Sequence, residues 1–234
     1  MTYLYGSNYD DLLGTIDCGF IGFEREDSSR VTMATVYRII TLFALLLNLA
    51  MALINSPVIN LAVYLTNWAM LLSISLTLMV LKCSFDSRIS EKKGWLAATH
   101  IVFELATVLN VVVVSVYWPT IHFKVIQDYE DQLLHWLHQH LVHIFPCTAV
   151  LVIFLTTDLR IKAGHAKIFP VVAILFGSVN CYHVKKTGVP TYWFLTWEDH
   201  TSPIIILCVC SIVTAWFVGL AKLTATLKCT AKSN

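Results

Sequence analysis

The sequence predicts an all-α polytopic membrane protein, a bundle of six transmembrane helices with both termini on the same, cytoplasmic-type side. Three observations carry that reading. Of 234 residues, 57% are hydrophobic and only 13% charged, where soluble domains run at about 45–50% and about 25%; the mean hydropathy is +0.69. Six stretches of roughly 17–25 residues are nearly free of Lys, Arg, Asp and Glu, each long enough to cross about 30 Å of hydrocarbon as a helix. Finally, the basic residues divide unevenly over the intervening loops, thirteen on the side of the termini and only Lys124, Lys185 and Lys186 on the other, as the positive-inside rule requires. Moving or deleting one helix would scramble that asymmetry. A soluble enzyme, a nucleic-acid binder and a disordered chain are excluded, and a net charge of +1 gives no electrostatic case for a polyanionic partner.

Residues 1–30 read as a short acidic soluble extension, with Asp10, Asp11, Asp17, Glu24, Glu26 and Asp27 against Arg25 and Arg30. Signal peptides begin basic and transit peptides are acid-poor, so the first helix is expected to serve as the targeting signal. The spans follow at Thr32–Leu53 and Val58–Leu81, joined by the minimal turn Asn55-Ser56-Pro57 into a tight hairpin. The third runs over Trp95–Trp118 and ends in a short acidic loop. The fourth (Trp136–Thr157) and fifth (Ala166–Tyr182) contain Pro146 and Pro170, which membrane helices tolerate. The sixth covers Pro203–Leu223, and a basic tail occupies 225–234. Trp95, Trp118, Trp136, Trp193 and Trp197 fall near the expected interfaces, where amphipathic rings belong. No internal repeat interrupts a single domain over 31–224.

The seven cysteines are odd in number and form no CxxC pair, so neither a disulfide framework nor a zinc site is expected. Chemistry, if present, must come from polar groups inside the spans, which are costly there and face protein or a watery cavity. Glu104 is the one carboxylate well inside a span, near the bilayer middle, and His100 lies one turn earlier on the same face. The pair reads either as a buried hydrogen-bonded unit or as a proton-handling or substrate-orienting group. His135, His138, His140 and His143 open the fourth helix, and His140 and His143 share a face. They read as interfacial edge residues, as general bases beside a nucleophile, or as metal or haem ligands. Haem ranks last because His100 and the later histidines sit at different depths. Thr41 and Asn48 lie on one face of the first helix, Asn60 and Asn67 on one face of the second; such residues bond their own backbone or join helices.

Several short segments resemble a known superfamily. Arg38-Ile-Ile-Thr41-Leu followed by Asn48, Val116-Tyr117-Trp118, the run from Trp136 through His140 and His143 to Pro146, and Gly188-Val-Pro-Thr-Tyr192 with Trp197 resemble the androgen-induced-gene family. Tyr64-Leu-Thr-Asn-Trp68 is similar to the related rolling-stone-like proteins. The former are six-span threonine hydrolases of fatty-acid esters, so the resemblance implies Thr41 as nucleophile and His140 as base. The latter are implicated in membrane fusion. The chain departs from the hydrolases in its soluble first 30 residues, in an extra helix between the Thr41 and Glu104 spans, and in reading Gln139-His140 for Asn-His.

Three functions are carried forward. The first is a non-catalytic structural or accessory component, with membrane lipids and other membrane subunits as partners and no nucleic acid. The second is an intramembrane threonine hydrolase using Thr41 and His140. The third is a small transporter or proton path through Glu104 and His100, weakened by the absence of internal symmetry. No cofactor and no metal are expected, His143 and Asn48 complete the intramembrane polar candidates, and an endomembrane, the plasma membrane and a mitochondrial inner membrane suit the charge pattern equally.

Overall fold

The computed structural model describes residues 28–55, 58–90, 92–128, 132–157 and 159–233. The acidic extension up to residue 27, the turn residues Ser56 and Pro57, and the side chain of Asn60 lie outside this description. Among the described residues the chain is all-helical, and six helices are long and apolar enough to cross a membrane. The protein is therefore an integral membrane protein by length and composition of its helices.

Helix α1 (Ser28–Asn55) packs on α3 (Leu65–Phe85) and α7 (Leu133–Leu155) through Leu45, Met70, Ile74 and Ala149. The most extensive helix pair is α3 with α5 (Lys93–Val116), where Leu76 and Val80 meet Phe103 and Ala106. Helices α8 (Ile168–Thr187) and α9 (Thr201–Ser233) close the other side, with Phe169 and Phe217 edge to face at 4.9 Å. A short helix α4 (Ser87–Ser90) lies in the α3–α5 connection. The outward faces of α1 and α9 carry exposed Phe43, Ile40, Ile204 and Leu207, as a hydrocarbon solvent permits. At mid-bundle the Asn110 amide donates to Ser73 Oγ at 2.9 Å and to the Ala106 carbonyl at 2.7 Å, and the Ser73 hydroxyl donates to the Ala69 carbonyl at 2.8 Å.

Three departures from the expected spans shape the interior. The second span is broken: α2 (Val58–Val63) ends at Tyr64, whose backbone is extended (φ −96°, ψ 124°), and α3 starts at Leu65. Broken backbone at membrane depth must satisfy its polar groups from elsewhere. Here Leu65 N–H goes to Tyr192 Oη at 3.1 Å, and Trp68 Nε1 donates to the freed Ala62 carbonyl at 2.8 Å. The third helix does not stop at Trp118. It passes through a π-helical turn, Tyr117–Ile121, into α6 (His122–Asp128). Pro119 lacks an N–H and crowds the preceding turn, and the wider π geometry accommodates both without ending the helix. Finally, α9 stays helical to Ser233, beyond the apolar stretch that closes at Leu223, so the basic tail is drawn into it. Pro170 is the third residue of α8, a first-turn position where the missing donor costs nothing.

Arg38 is 2% exposed although it sits in an apolar helix. Its guanidinium donates to the Thr156 carbonyl at 2.7 Å, to Thr156 Oγ1 at 2.8 Å and to Ser84 Oγ at 3.1 Å, tying α1 to the ends of α3 and α7. Hydrogen bonds to a charged group contribute about 1.5–3 kcal/mol each, and the cost of burying the guanidinium takes back most of the sum of these three. Arg38→Met, which keeps most of the aliphatic stem, should therefore lower stability in detergent by about 2 kcal/mol; a denaturation midpoint equal to the parent's would show that α1 does not need this tie.

The connection from α8 to α9 is equally fixed. Gly188 ends α8 at φ 71°, the left-handed position that glycine occupies without strain. Trp197 holds a positive φ of 57°, uncommon for a bulky residue. Its N–H donates to Ser202 Oγ at 2.9 Å and its indole Nε1 to Asn180 Oδ1 at 2.8 Å, while Lys185 Nζ donates to its carbonyl at 2.6 Å. Asp199 accepts from Thr201 N–H at the start of α9, which holds its carboxyl below the usual range.

Candidate functional site

An apolar cavity of about 120 Å³ lies between α3, α5, α8 and α9. Leu109 and Val113 of α5, Phe176 of α8 and Val209 of α9 make up much of its wall. Small-molecule sites pair apolar walls with a few placed polar groups. Those groups are Thr66, His143 and Tyr117, all of which line it.

Each is placed by a feature already described. The break at Tyr64 makes Thr66 the second residue of α3, at a helix N-terminus whose dipole favours negative charge. His143 projects from α7. Its Nδ1 donates to the Gln139 carbonyl at 2.5 Å, and because a carbonyl can only accept, Nδ1 carries the hydrogen and Nε2 of the neutral ring is an acceptor. Thr66 Oγ1 lies 3.3 Å from that Nε2, so the threonine hydroxyl donates to it. Tyr117, first residue of the π turn, stacks on the His143 ring with centroids 3.5 Å apart and planes within 12°. Its hydroxyl is buried and without a hydrogen-bond partner. At the lip of the cavity Tyr192 receives Leu65 N–H, and burial pushes its hydroxyl above the usual phenol range.

The pairing anticipated between Thr41 and His140 is not formed. The Thr41 hydroxyl donates to the Tyr37 carbonyl at 2.7 Å, the back-bonding expected of threonine in an apolar helix. His140 donates through Nδ1 to the Trp136 carbonyl at 2.7 Å and stands among rings, with Trp136 at 4.1 Å and His122 at 4.9 Å. Its Nε2 is buried without a partner, as is Nδ1 of His122. Asn48 donates to the Ala44 carbonyl at 3.0 Å and contributes no side-chain contact to the cavity.

Glu104 and His100 do come together, in company that the sequence did not announce. Glu104 is 3% exposed and His100 5%. Glu104 Oε2 accepts from His165 Nδ1 at 2.5 Å, Oε1 accepts the Lys162 N–H at 2.7 Å, and His100 Nε2 lies 3.3 Å from Oε1. His100 Nε2 also donates to the Arg160 carbonyl at 2.7 Å. His165 belongs to a 3₁₀ turn, Ala163–Lys167, in the α7–α8 connection. This cluster thus sits where a basic loop folds back against α5. Along α5, Glu104 and Tyr117 are separated by about 20 Å of helix rise, so the two polar centres occupy opposite ends of the bundle.

Thr66 entered the sequence reading only inside the Tyr64–Trp68 match, and His122 and His165 did not enter it. Nothing in the helical periodicity marks Thr66, because the helix break at Tyr64 that precedes it is a tertiary event. No known protein family, curated protein or solved structure matches this chain.

Proposed function

We propose that this membrane protein hydrolyses an amphiphilic lipid ester from within the bilayer, with Thr66 as nucleophile and His143 as general base. The observation that carries the reading is the contact of the Thr66 hydroxyl with His143 Nε2 at the polar end of an apolar cavity. A hydroxyl is a weak nucleophile until an adjacent base takes its proton, and a base is useful once a third group fixes its tautomer. Gln139 supplies that third group through its backbone. Contacts of this length are common before substrate tightens them.

In the reaction Thr66 Oγ attacks the ester carbonyl while its proton passes to His143 Nε2. The tetrahedral oxyanion forms beside the α3 N-terminus and the Tyr117 hydroxyl, a buried donor with nothing else to bond. Collapse expels the alcohol, which takes the proton from His143 and leaves acyl-Thr66. Water, deprotonated by His143, releases the carboxylic acid and restores the hydroxyl. The apolar walls suit an acyl chain, and a groove lined by Leu71, Leu105 and Trp68 shares Leu109 and Val172 with the cavity, a sideways approach from the hydrocarbon. The resemblance to lipid-ester hydrolases implies Thr41 and His140 for these roles; the assignment to Thr66 and His143 rests on their own contact.

Purified protein in lipid nanodiscs should release fluorophore from a long-chain acyl ester, and Thr66→Ala should lower the rate by at least about a thousandfold. Thr41→Ala should leave it unchanged. A rate that survives Thr66→Ala, or a parent protein without turnover that instead co-purifies with other membrane subunits at fixed stoichiometry, would favour the accessory-component role.

A further inference from the structure

We infer that His100, Glu104 and His165 form a binding site for a divalent first-row transition-metal ion that clamps the α7–α8 connection onto α5. The three side chains are all buried, and each offers a ligand atom within 4.8 Å of the others. Two imidazoles and one carboxylate are a donor set used by zinc sites with an open position and by the 2-His-1-carboxylate sites of iron. The spacing is built into the chain: His100 and Glu104 are one turn apart on α5, which fixes both on one face, and the 3₁₀ turn delivers His165 from across the interface.

The surroundings supply what a metal site needs beyond its ligands. Glu104 Oε1 accepts the Lys162 N–H, leaving Oε2 toward His165, and a hydrogen-bonded carboxylate is held in orientation for an ion. The Arg160 carbonyl, 2.7 Å from His100 Nε2, is a further oxygen beside the cluster. Burial of three ionisable groups in an apolar bundle is expensive, and an ion bound by all three offsets that cost. Loading requires the hydrogens now on His100 Nε2 and His165 Nδ1 to move to the other ring nitrogens or to leave, since ligating nitrogens are bare. Distance from Thr66 makes the ion a structural clamp rather than a participant at the cavity, so this inference stands independently of the hydrolase proposal.

The test is direct. Full-length protein in detergent, stripped with chelator and dialysed, should take up one equivalent of Zn²⁺, raise its melting temperature on doing so, and show visible d–d bands when Co²⁺ is used instead. Glu104→Gln, which keeps the volume and an acceptor for Lys162, and His165→Asn should each weaken Zn²⁺ binding by more than about a hundredfold, beyond the tenfold to hundredfold losses usual for outer-sphere changes. His183→Asn, a half-buried histidine of α8 outside the cluster, should bind as the parent does. Stripped parent protein that takes up no Zn²⁺ and melts at the same temperature with and without it would overturn the proposal and leave a hydrogen-bonded clamp. So would Zn²⁺ uptake unaltered by Glu104→Gln and His165→Asn.

Discussion

His143→Ala should abolish ester turnover as completely as Thr66→Ala, and the double variant should be no slower than either single one. The expectation follows from how the two groups work. In the proposed reaction the Thr66 hydroxyl gains its nucleophilicity by passing its proton to His143 Nε2, 3.3 Å away, and without that acceptor it is an ordinary alcohol. A general base alone contributes about 10²–10⁴-fold, and nucleophile and base acting as a unit are strongly non-additive. Three proteins therefore suffice: each single variant should lose at least about a thousandfold, and their combination should lose little more. His143→Gln separates chemistry from packing, because it fills similar space beside Tyr117 while offering no base. It should be inactive with a melting temperature near the parent's. Losses that multiply in the double variant would mean that the two residues act separately, and the nucleophile–base assignment would fall.

Glu104→Ala should be the most destabilising single change at the opposite end of the bundle. The substitution strands the Lys162 N–H, His165 Nδ1 and one contact of His100 in an interior that excludes water. Removing one member of a buried charged network costs about 3–5 kcal/mol, chiefly because its partners remain buried and unpaired. For a chain of this length that corresponds to about 6–20 °C in melting temperature. Measured with chelator present, so that no ion contributes, the loss reports the hydrogen-bonded network alone. Glu104→Gln retains an acceptor for Lys162 and should lose less. A Glu104→Ala protein within about 1 kcal/mol of the parent would show that the α7–α8 connection is held by Leu159, Ile161 and Ala166 in the apolar core rather than by this carboxylate.

The six membrane-crossing helices were legible because their signal is bulk composition: length and apolarity are read without knowing any contact. The ends of those helices were less so. Pro119 normally marks a boundary, and the π turn that carries the chain past it depends on packing around Tyr117, which the local sequence does not encode. The break at Tyr64 was hidden for a similar reason, since the residues on both sides are apolar and the compensating partners, Tyr192 and Trp68, are supplied by tertiary structure. The candidate site shows the same division. The sequence offers several threonines and, in the fourth span, several histidines, and which of them meet depends on helix rotation. His140 and His143 share a face and both donate to a carbonyl four residues back; only the neighbours separate them, aromatic rings around one and Thr66 beside the other. Glu104 and His100 were recognised from their spacing. His165 was not, because a histidine in a short basic loop carries no mark of burial until that loop folds inward.

The wide turn at Tyr117–Ile121 sets the angular phase of everything after it. An α-helix advances about 100° per residue, and a π turn absorbs roughly one additional residue, so it works as a one-residue insertion tolerated mid-helix. Winding the same residues as regular α-helix, without the wide turn, would swing His122 by about a quarter-turn, away from Trp118 and His140, while leaving the upstream half of the rod in place. The irregularity thus works as an indexing device: a chain of the same length that wound regularly there would keep its topology and present a different set of side chains to the interior.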